Sequence, residues 1–310
     1  MNFLLIAGGL ILLILGGNWL LKSAVALSLK LEIPKIVIGM TVVSFATSAP
    51  ELIVSVNAAL NGASDLSLGN VVGSNIANIS LILGVTLLFG TMEVQKSFYK
   101  TDWPVMMLAS MILFFFLIND KIITQFEGII FVTLLIAFLI FLLRFQKTTI
   151  IEEIPNENET LPLWKIIFFL TIGGVGLWGG SEFLITGATS LAKDFGVSDR
   201  VIGVTVVSVG TSIPELAASI IAILKKEKAI SLGNLVGSNI FNILGVLGIT
   251  AIITPIAVVD QKFLTNDIFW MLAISLLILP MVLVPKRLKL NWIDGVVLLF
   301  IYSGFVYWTL

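Results

Sequence analysis

Thr47, Ser48, Pro50 and Glu51 stand together in TVVSFATSAPEL, and the same four types return as Thr211, Ser212, Pro214 and Glu215 in TVVSVGTSIPEL. Both stretches lie inside long apolar runs. Proline has no N–H, and its ring clashes with the carbonyl four residues back. Pro50 thus frees the carbonyl of Ala46, and Pro214 that of Gly210. Thr47 and Glu51 are four apart, so they share a helix face with this break, and Ser48 lies three from Glu51. Loosened carbonyls at membrane depth are tolerated only beside protein or a water-filled cavity. A second pair of stretches, SLGNVVGSNIANISLILG and SLGNLVGSNIFNILGVLG, sets Ser74 four before Asn78 and Ser238 four before Asn242. Gly73 is expected to mark another break there.

These residues amount to an all-oxygen cation site: two carboxylates, two carboxamide oxygens, up to six hydroxyls and several carbonyls. Calcium takes about 6–8 such oxygens in a flexible shell, whereas magnesium prefers a rigid octahedron and keeps its water. Soft transition metals favour sulfur or imidazole, and the chain has no cysteine and no histidine. Two glutamates neutralise one Ca²⁺ or two Na⁺. An ionisable group inside a span marks a functional site by default. The blander reading, helix packing, suits Ser74 and Ser238 better than Glu51 and Glu215. Asn75 and Asn239 read as partners for broken backbone and rank second.

The elements that hold these residues follow from composition. Of 310 residues, 58% are hydrophobic and 12% charged, about half the charge of a soluble domain. Apolar runs of about 20 residues recur from end to end, the mark of spanning helices. Ten spans are expected, at 2–21, 36–60, 66–90, 103–119, 122–144, 162–192, 200–224, 229–253, 267–284 and 291–309. The N-terminus lacks the basic n-region and cleavage site of a removed leader and reads as the first span. The net charge of −1 leaves nucleic acid without a basic surface to bind. No resident cofactor and no obligatory protein partner is expected beyond the lipid bilayer.

Lysine and arginine set the orientation. Fourteen of the eighteen fall on the side opposite the two termini. That basic side is expected to face the cytoplasm, with both termini outside the cytoplasmic membrane. The polar linker 148–161 separates 1–147 from 162–310. Its acids Glu152, Glu153, Glu157 and Glu159 read as a solvated loop.

The two halves are one sequence repeated. Residues 38–84 and 202–248 match without a gap at an offset of 164, with 27 of 47 positions identical. Gly9 with Gly173, and Gly16 with Gly180, carry the register into the first span of each half. Helix packing explains Gly39, Gly203, Gly84 and Gly248, but it requires no repeated glutamate. Five spans is an odd number, so the second half enters the membrane from the other side. The expected fold is an all-α integral membrane protein of ten transmembrane helices, arranged as two inverted five-helix repeats with broken second and third helices in each. Sites in such folds lie near the midplane, where the interrupted helices meet.

The paired TSxPE and GNxxGSNxxN segments resemble the cation/calcium exchanger superfamily, in its prokaryotic sodium/calcium exchanger branch. The resemblance covers the whole chain. It implies Na⁺/Ca²⁺ antiport by alternating access, typically three sodium ions per calcium ion, with both ions as cargo. By matching position it implies Glu51 and Glu215 as calcium ligands with the carbonyls of Thr47 and Thr211. Ser48, Ser74, Ser212 and Ser238 would serve sodium, and Asn78 and Asn242 would ligate or orient water at the centre. Two departures stand out: Ala46 replaces the usual glycine that Gly210 keeps, and Asn242 is aspartate in some relatives. The asparagine favours potassium independence, and with only two acids a third sodium would leave the loaded site net positive. The proton-coupled branch usually has GNxxE in place of TSxPE, which favours sodium as the driving ion. The short linker leaves no room for a calcium-sensing domain. The glycine-rich first helices of the two halves are expected to slide across the core. A proton-driven antiporter and a calcium channel are the alternatives. An enzyme is disfavoured, since no nucleophile and base pair is present.

Overall fold

The computed structural model describes residues 2–145, 161–195, 208–284 and 288–309. The chain runs α1 (Asn2–Leu31), α2 (Lys35–Thr47), α3 (Ala49–Leu60), α4 (Ser64–Phe89), β1 (Met92–Glu93), α5 (Phe98–Asp120), β2 (Ile122–Ile123) and α6 (Gln125–Phe145). It continues with α7 (Leu163–Asp194), α8 (Ser208–Gly210), α9 (Ile213–Leu224), α10 (Lys228–Ile253), β3 (Ile256–Ala257), α11 (Phe263–Leu283), β4 (Lys289–Leu290) and α12 (Trp292–Thr309). Helices dominate because lipid offers the backbone no hydrogen bonds. Among the described residues, eight helices are long and apolar enough to cross a membrane, and the bent pair α2–α3 makes a ninth. α8 and α9 belong to the expected seventh span, whose residues 200–207 lie outside the described residues. So do residues 148–160 of the linker, with its four glutamates, and Gly203.

Burial separates core from rim. In α4 and α10, 78% of the spanning window is buried, against 11–33% in the other spans. These two helices therefore form the centre; α2 and α9 are also largely buried beside them, and the other long helices face lipid. Each departs from α geometry at the same place, in π-helical turns at Ala77–Ile82 and Phe241–Leu247. The break expected at Gly73 is absent: Ser64–Ile76 is continuous α-helix. Glycine does not interrupt a helix that neighbours hold, and the irregularity falls four residues later. The second span does break, at Ser48 (φ −87°, ψ 2°), where α2 and α3 meet at 45°. Ser212 (φ −91°, ψ 5°) repeats that geometry before α9. Pro50 and Pro214 sit in the first turn of the outer half-helices, where a missing N–H costs nothing.

α1 is longer than the expected span 2–21. It continues through Ser23–Ser28, which are buried, so Lys22 and Lys30 ride on the helix rather than in a loop. Hydropathy falls at Lys22, but packing extends the helix. At 30 and 32 residues, α1 and α7 are each about 45 Å or more long, longer than the roughly 30 Å hydrocarbon layer. They run against each other along a glycine seam. A Cβ added at Gly9 would lie 2.7 Å from the Gly180 carbonyl, and one at Gly16 would lie 2.9 Å from that of Gly173. The two contacts exchange under the offset of 164, which is twofold symmetry. Gly84 with Gly295, and Gly248 with Gly128, seat α12 and α6 on the two central helices in the same way.

The loops sort into two ends. At one, Lys35 pairs with Glu227 at 3.0 Å, and Lys289 with Glu93 at 3.1 Å across the β1–β4 ribbon. Lys289 holds the exposed Glu93 carboxyl below its usual range. At the other end, β2 pairs with β3. Asn2 donates to Asp194 at 2.7 Å, and Asp65 accepts the amides of Val259 and Asp260. Among the described residues, the first of these ends carries most of the lysine and arginine.

Candidate cation site

Glu51 and Glu215 start the outer half-helices α3 and α9, and both are fully buried. Ser48, three residues before Glu51, reaches the Glu215 carboxylate, so the two acids approach each other from opposite halves. The halves interlock: α3 packs on the π turns of α10, and α9 on those of α4. Each glutamate is thereby delivered to the other repeat's irregular helix.

Around Glu215 the hydroxyls come from both halves. Ser48 donates to its Oε1 at 3.3 Å, and Thr47 and Ser238 face the same carboxylate. The hydroxyls of Thr47 and Ser238 are 3.4 Å apart, and Thr47 lies 3.2 Å from Asn234 Oδ1. The hydroxyls of Ser74 and Thr211, again one from each half, stand 3.4 Å apart. Asn70 donates to the Glu51 carbonyl at 3.3 Å and to Ser55 at 2.9 Å, and Asn234 binds Ser219 correspondingly.

The centre is a ring of four asparagines. Asn75 donates to the Asn239 carbonyl and Asn239 to the Asn75 carbonyl, both at 3.2 Å. Asn78 donates to Asn239 Oδ1 and Asn242 to Asn75 Oδ1, both at 3.1 Å. The amide nitrogens of Asn78 and Asn242 are thus committed, and their oxygens are turned away from the ring. Those two Oδ1 atoms are buried without a hydrogen-bond partner, as are both oxygens of Glu51, Oε2 of Glu215 and Oγ of Ser212. Unpaired buried acceptors are costly, and six of them are within calcium's usual oxygen count. An oxygen-seeking cation fits this donor set.

The broken backbone is treated unequally. The carbonyl of Ala46 loses its helical donor to Pro50. The carbonyl of Gly210 loses its own to Pro214 and instead accepts the Ser181 hydroxyl of α7 at 2.8 Å. Further out, Ser44 bridges the carbonyls of Gly39 and Asn234, both at 2.9 Å. It closes a tight contact in which Gly233 and Gly237 of α10 lie against α2.

The sequence profile described as sodium/calcium exchanger protein matches residues 1–144 and again residues 165–310.

The chain belongs to the sodium/calcium exchanger family.

CaxA of Alkalimonas amylolytica, named as an antiporter, is 37% identical over 96% of this family member and 95% of its own length. The sodium/calcium exchanger MaX1 of Methanosarcina acetivorans is 33% identical over 98% and 97%. Among solved structures, the sodium-calcium exchanger NCX_Mj superposes with a TM-score of 0.84 at 27% identity, covering 100% of this chain and 99% of that one. The chain is accordingly a multi-pass membrane protein with the exchanger fold, and its relatives are transporters.

Of the expected site residues, Ser48 reaches Glu215, Thr47 lies beside Ser238, Ser74 beside Thr211, and Asn78 and Asn242 belong to the asparagine ring; Glu51 and Ser212 add buried unpaired oxygens. Asn75 and Asn239 proved more than backbone partners, because they set which atom Asn78 and Asn242 present. Asn70 recurs as Asn234 at the offset of 164 among the repeated polar residues, but neither was assigned to the site. Ser181 had no signal at all, since Gly17 stands at the equivalent position.

Proposed function

We propose that the protein exchanges Na⁺ for Ca²⁺ by alternating access at the site between Glu51 and Glu215. The supporting observation is the set of buried, unpartnered acceptor oxygens on Glu51, Glu215, Asn78, Asn242 and Ser212. Two negative charges balance one Ca²⁺ or two Na⁺, so the ions compete for one net charge. In this reading Glu51 and Glu215 ligate calcium with the carbonyls of Thr47 and Thr211. Ser48, Ser74, Ser212 and Ser238 complete sodium shells with the Ala46 and Gly210 carbonyls, and Asn78 and Asn242 ligate at the centre.

Residues 1–147 and 162–310 act as opposed halves, joined by 148–161, so each motif is half of a site that can open to either side. α1 and α7 slide as a pair across the core. The end carrying Lys35, Lys289 and their partners faces the cytoplasm and the termini lie outside, in the cytoplasmic membrane.

Sodium rather than protons as the driving ion is tested by calcium flux in vesicles under a sodium gradient at clamped pH. Sodium-dependent uptake is expected. Uptake driven by a pH gradient alone would favour the proton-coupled reading, and flux without any counter-ion a channel.

A further inference from the structure

The α1–α7 pair is bound to itself along its whole length. The glycine seam brings backbone against backbone. Asn2 ties to Asp194 at one end, and Lys22 lies 5.9 Å from the centre of the Phe169 ring towards the other. Among the described residues, the pair meets the core through apolar contacts and through the Ser181 hydroxyl, 3% exposed, on the Gly210 carbonyl. We propose that Ser181 is a positioning residue that latches the helix pair to the ion site, and that it does so in one repeat only.

The asymmetry is written in the sequence. The residue 164 before Ser181 is Gly17, which has no hydroxyl to offer Ala46. A side chain at Gly17 would run into Ile221 of α9. Facing Ala46 on α7 is Gly174, whose added Cβ would sit 3.7 Å from the Ala46 Cβ, an ordinary apolar contact. The two freed carbonyls are therefore not equivalent. That of Gly210 shares its lone pairs with a hydroxyl carried on α7, and displacement of α7 would take the hydroxyl away. A carbonyl relieved of this bond is a stronger ligand for a cation. Movement of the helix pair and ligand strength at the site are in this way joined through one hydrogen bond. A neutral hydrogen bond biases such an equilibrium by about 3- to 10-fold.

This inference rests on the sodium-driven reading above. The test measures apparent sodium affinity for calcium exchange at each face, in right-side-out and inside-out vesicles holding the full chain. Ser181→Ala is expected to shift the ratio of the two affinities about 3- to 10-fold, and Ser181→Thr, which keeps the hydroxyl, to restore it. A wild-type ratio in Ser181→Ala overturns the latch, and so does an equal shift in both variants, which would mark a packing effect. If Ser181→Ala does not fold, Ser181→Cys, a weak donor, must move the ratio away from the wild-type value, and an unchanged one overturns the proposal. Absence of sodium-dependent uptake in the wild type would instead defeat the functional reading itself.

Discussion

Asn75 and Asn239, 164 residues apart, each donate a side-chain N–H to the other's backbone carbonyl at 3.2 Å. The pair straddles the pseudo-twofold relation between the halves. Their remaining oxygens fix Asn242 and Asn78 in turn. Asn75→Ala would leave the Asn239 carbonyl and the Asn242 amide without this partner, at about 1–3 kcal/mol for each buried group. Asn242 would also be free to present nitrogen in place of oxygen. Calcium uptake is expected to fall by about tenfold or more, with a lower melting temperature. Normal uptake would show that the ring does not orient the site.

Adjacent glycines give a sharper test of the seam. A Cβ at Gly9 would lie 2.7 Å from the Gly180 carbonyl, whereas one at Gly8 meets nothing within 4 Å. Gly8→Ala should therefore transport like the wild type. Gly9→Ala should lose several-fold in uptake and melt earlier, by about 1–3 kcal/mol of overpacking. Equal behaviour of the two would refute the close approach of α1 and α7.

The proposed sliding of α7 can be tested by arresting it at a defined point. Ala46 Cβ and a Cβ added at Gly174 would be 3.7 Å apart, close to the mean for a disulfide. The native chain has no cysteine, so Ala46→Cys with Gly174→Cys introduces the single possible bridge. Oxidation is expected to block exchange and reduction to restore it. Full turnover with the bridge formed would rule out relative motion of α7 and the core.

Sequence and structure agree best where the repeat speaks twice. Glu51 and Glu215 were legible because a buried acid beside proline returned at the same offset. Asn75 and Asn239 were only half legible, since their bonds run between repeats and spacing within one helix cannot show them. Ser181 was illegible because its partner position is Gly17 and it stands alone in a glycine-rich helix. The end of α1 was misplaced because hydropathy falls at Lys22, while burial of Ser23–Ser28 carries the helix on. The break expected at Gly73 appeared as π turns from Ala77, because a packed helix accommodates glycine and widens where its side chains cross to the other half.

The caps of α3 and α9 offer a stability test away from the site. Gly62 (φ +76°) and Lys226 (φ +65°) occupy the same left-handed position after the two helices. In each, the amide reaches back to the carbonyl three residues earlier. Glycine takes this conformation without steric cost and lysine does not. Lys226→Gly is expected to stabilise the protein by about 0.5–1 kcal/mol, read as a higher melting temperature in detergent with unchanged transport. A lower melting temperature would contradict the cap.

The most direct measurement is calcium uptake into proteoliposomes driven by an outward sodium gradient at clamped pH, for the wild type, Glu51→Gln and Glu215→Gln. Removing either charge leaves a site too weakly anionic for Ca²⁺. The predicted result is sodium-dependent uptake by the wild type and its loss, by about 100-fold or more, in both variants. Uptake at the wild-type rate in both variants would contradict the assignment of the paired glutamates as the ion site.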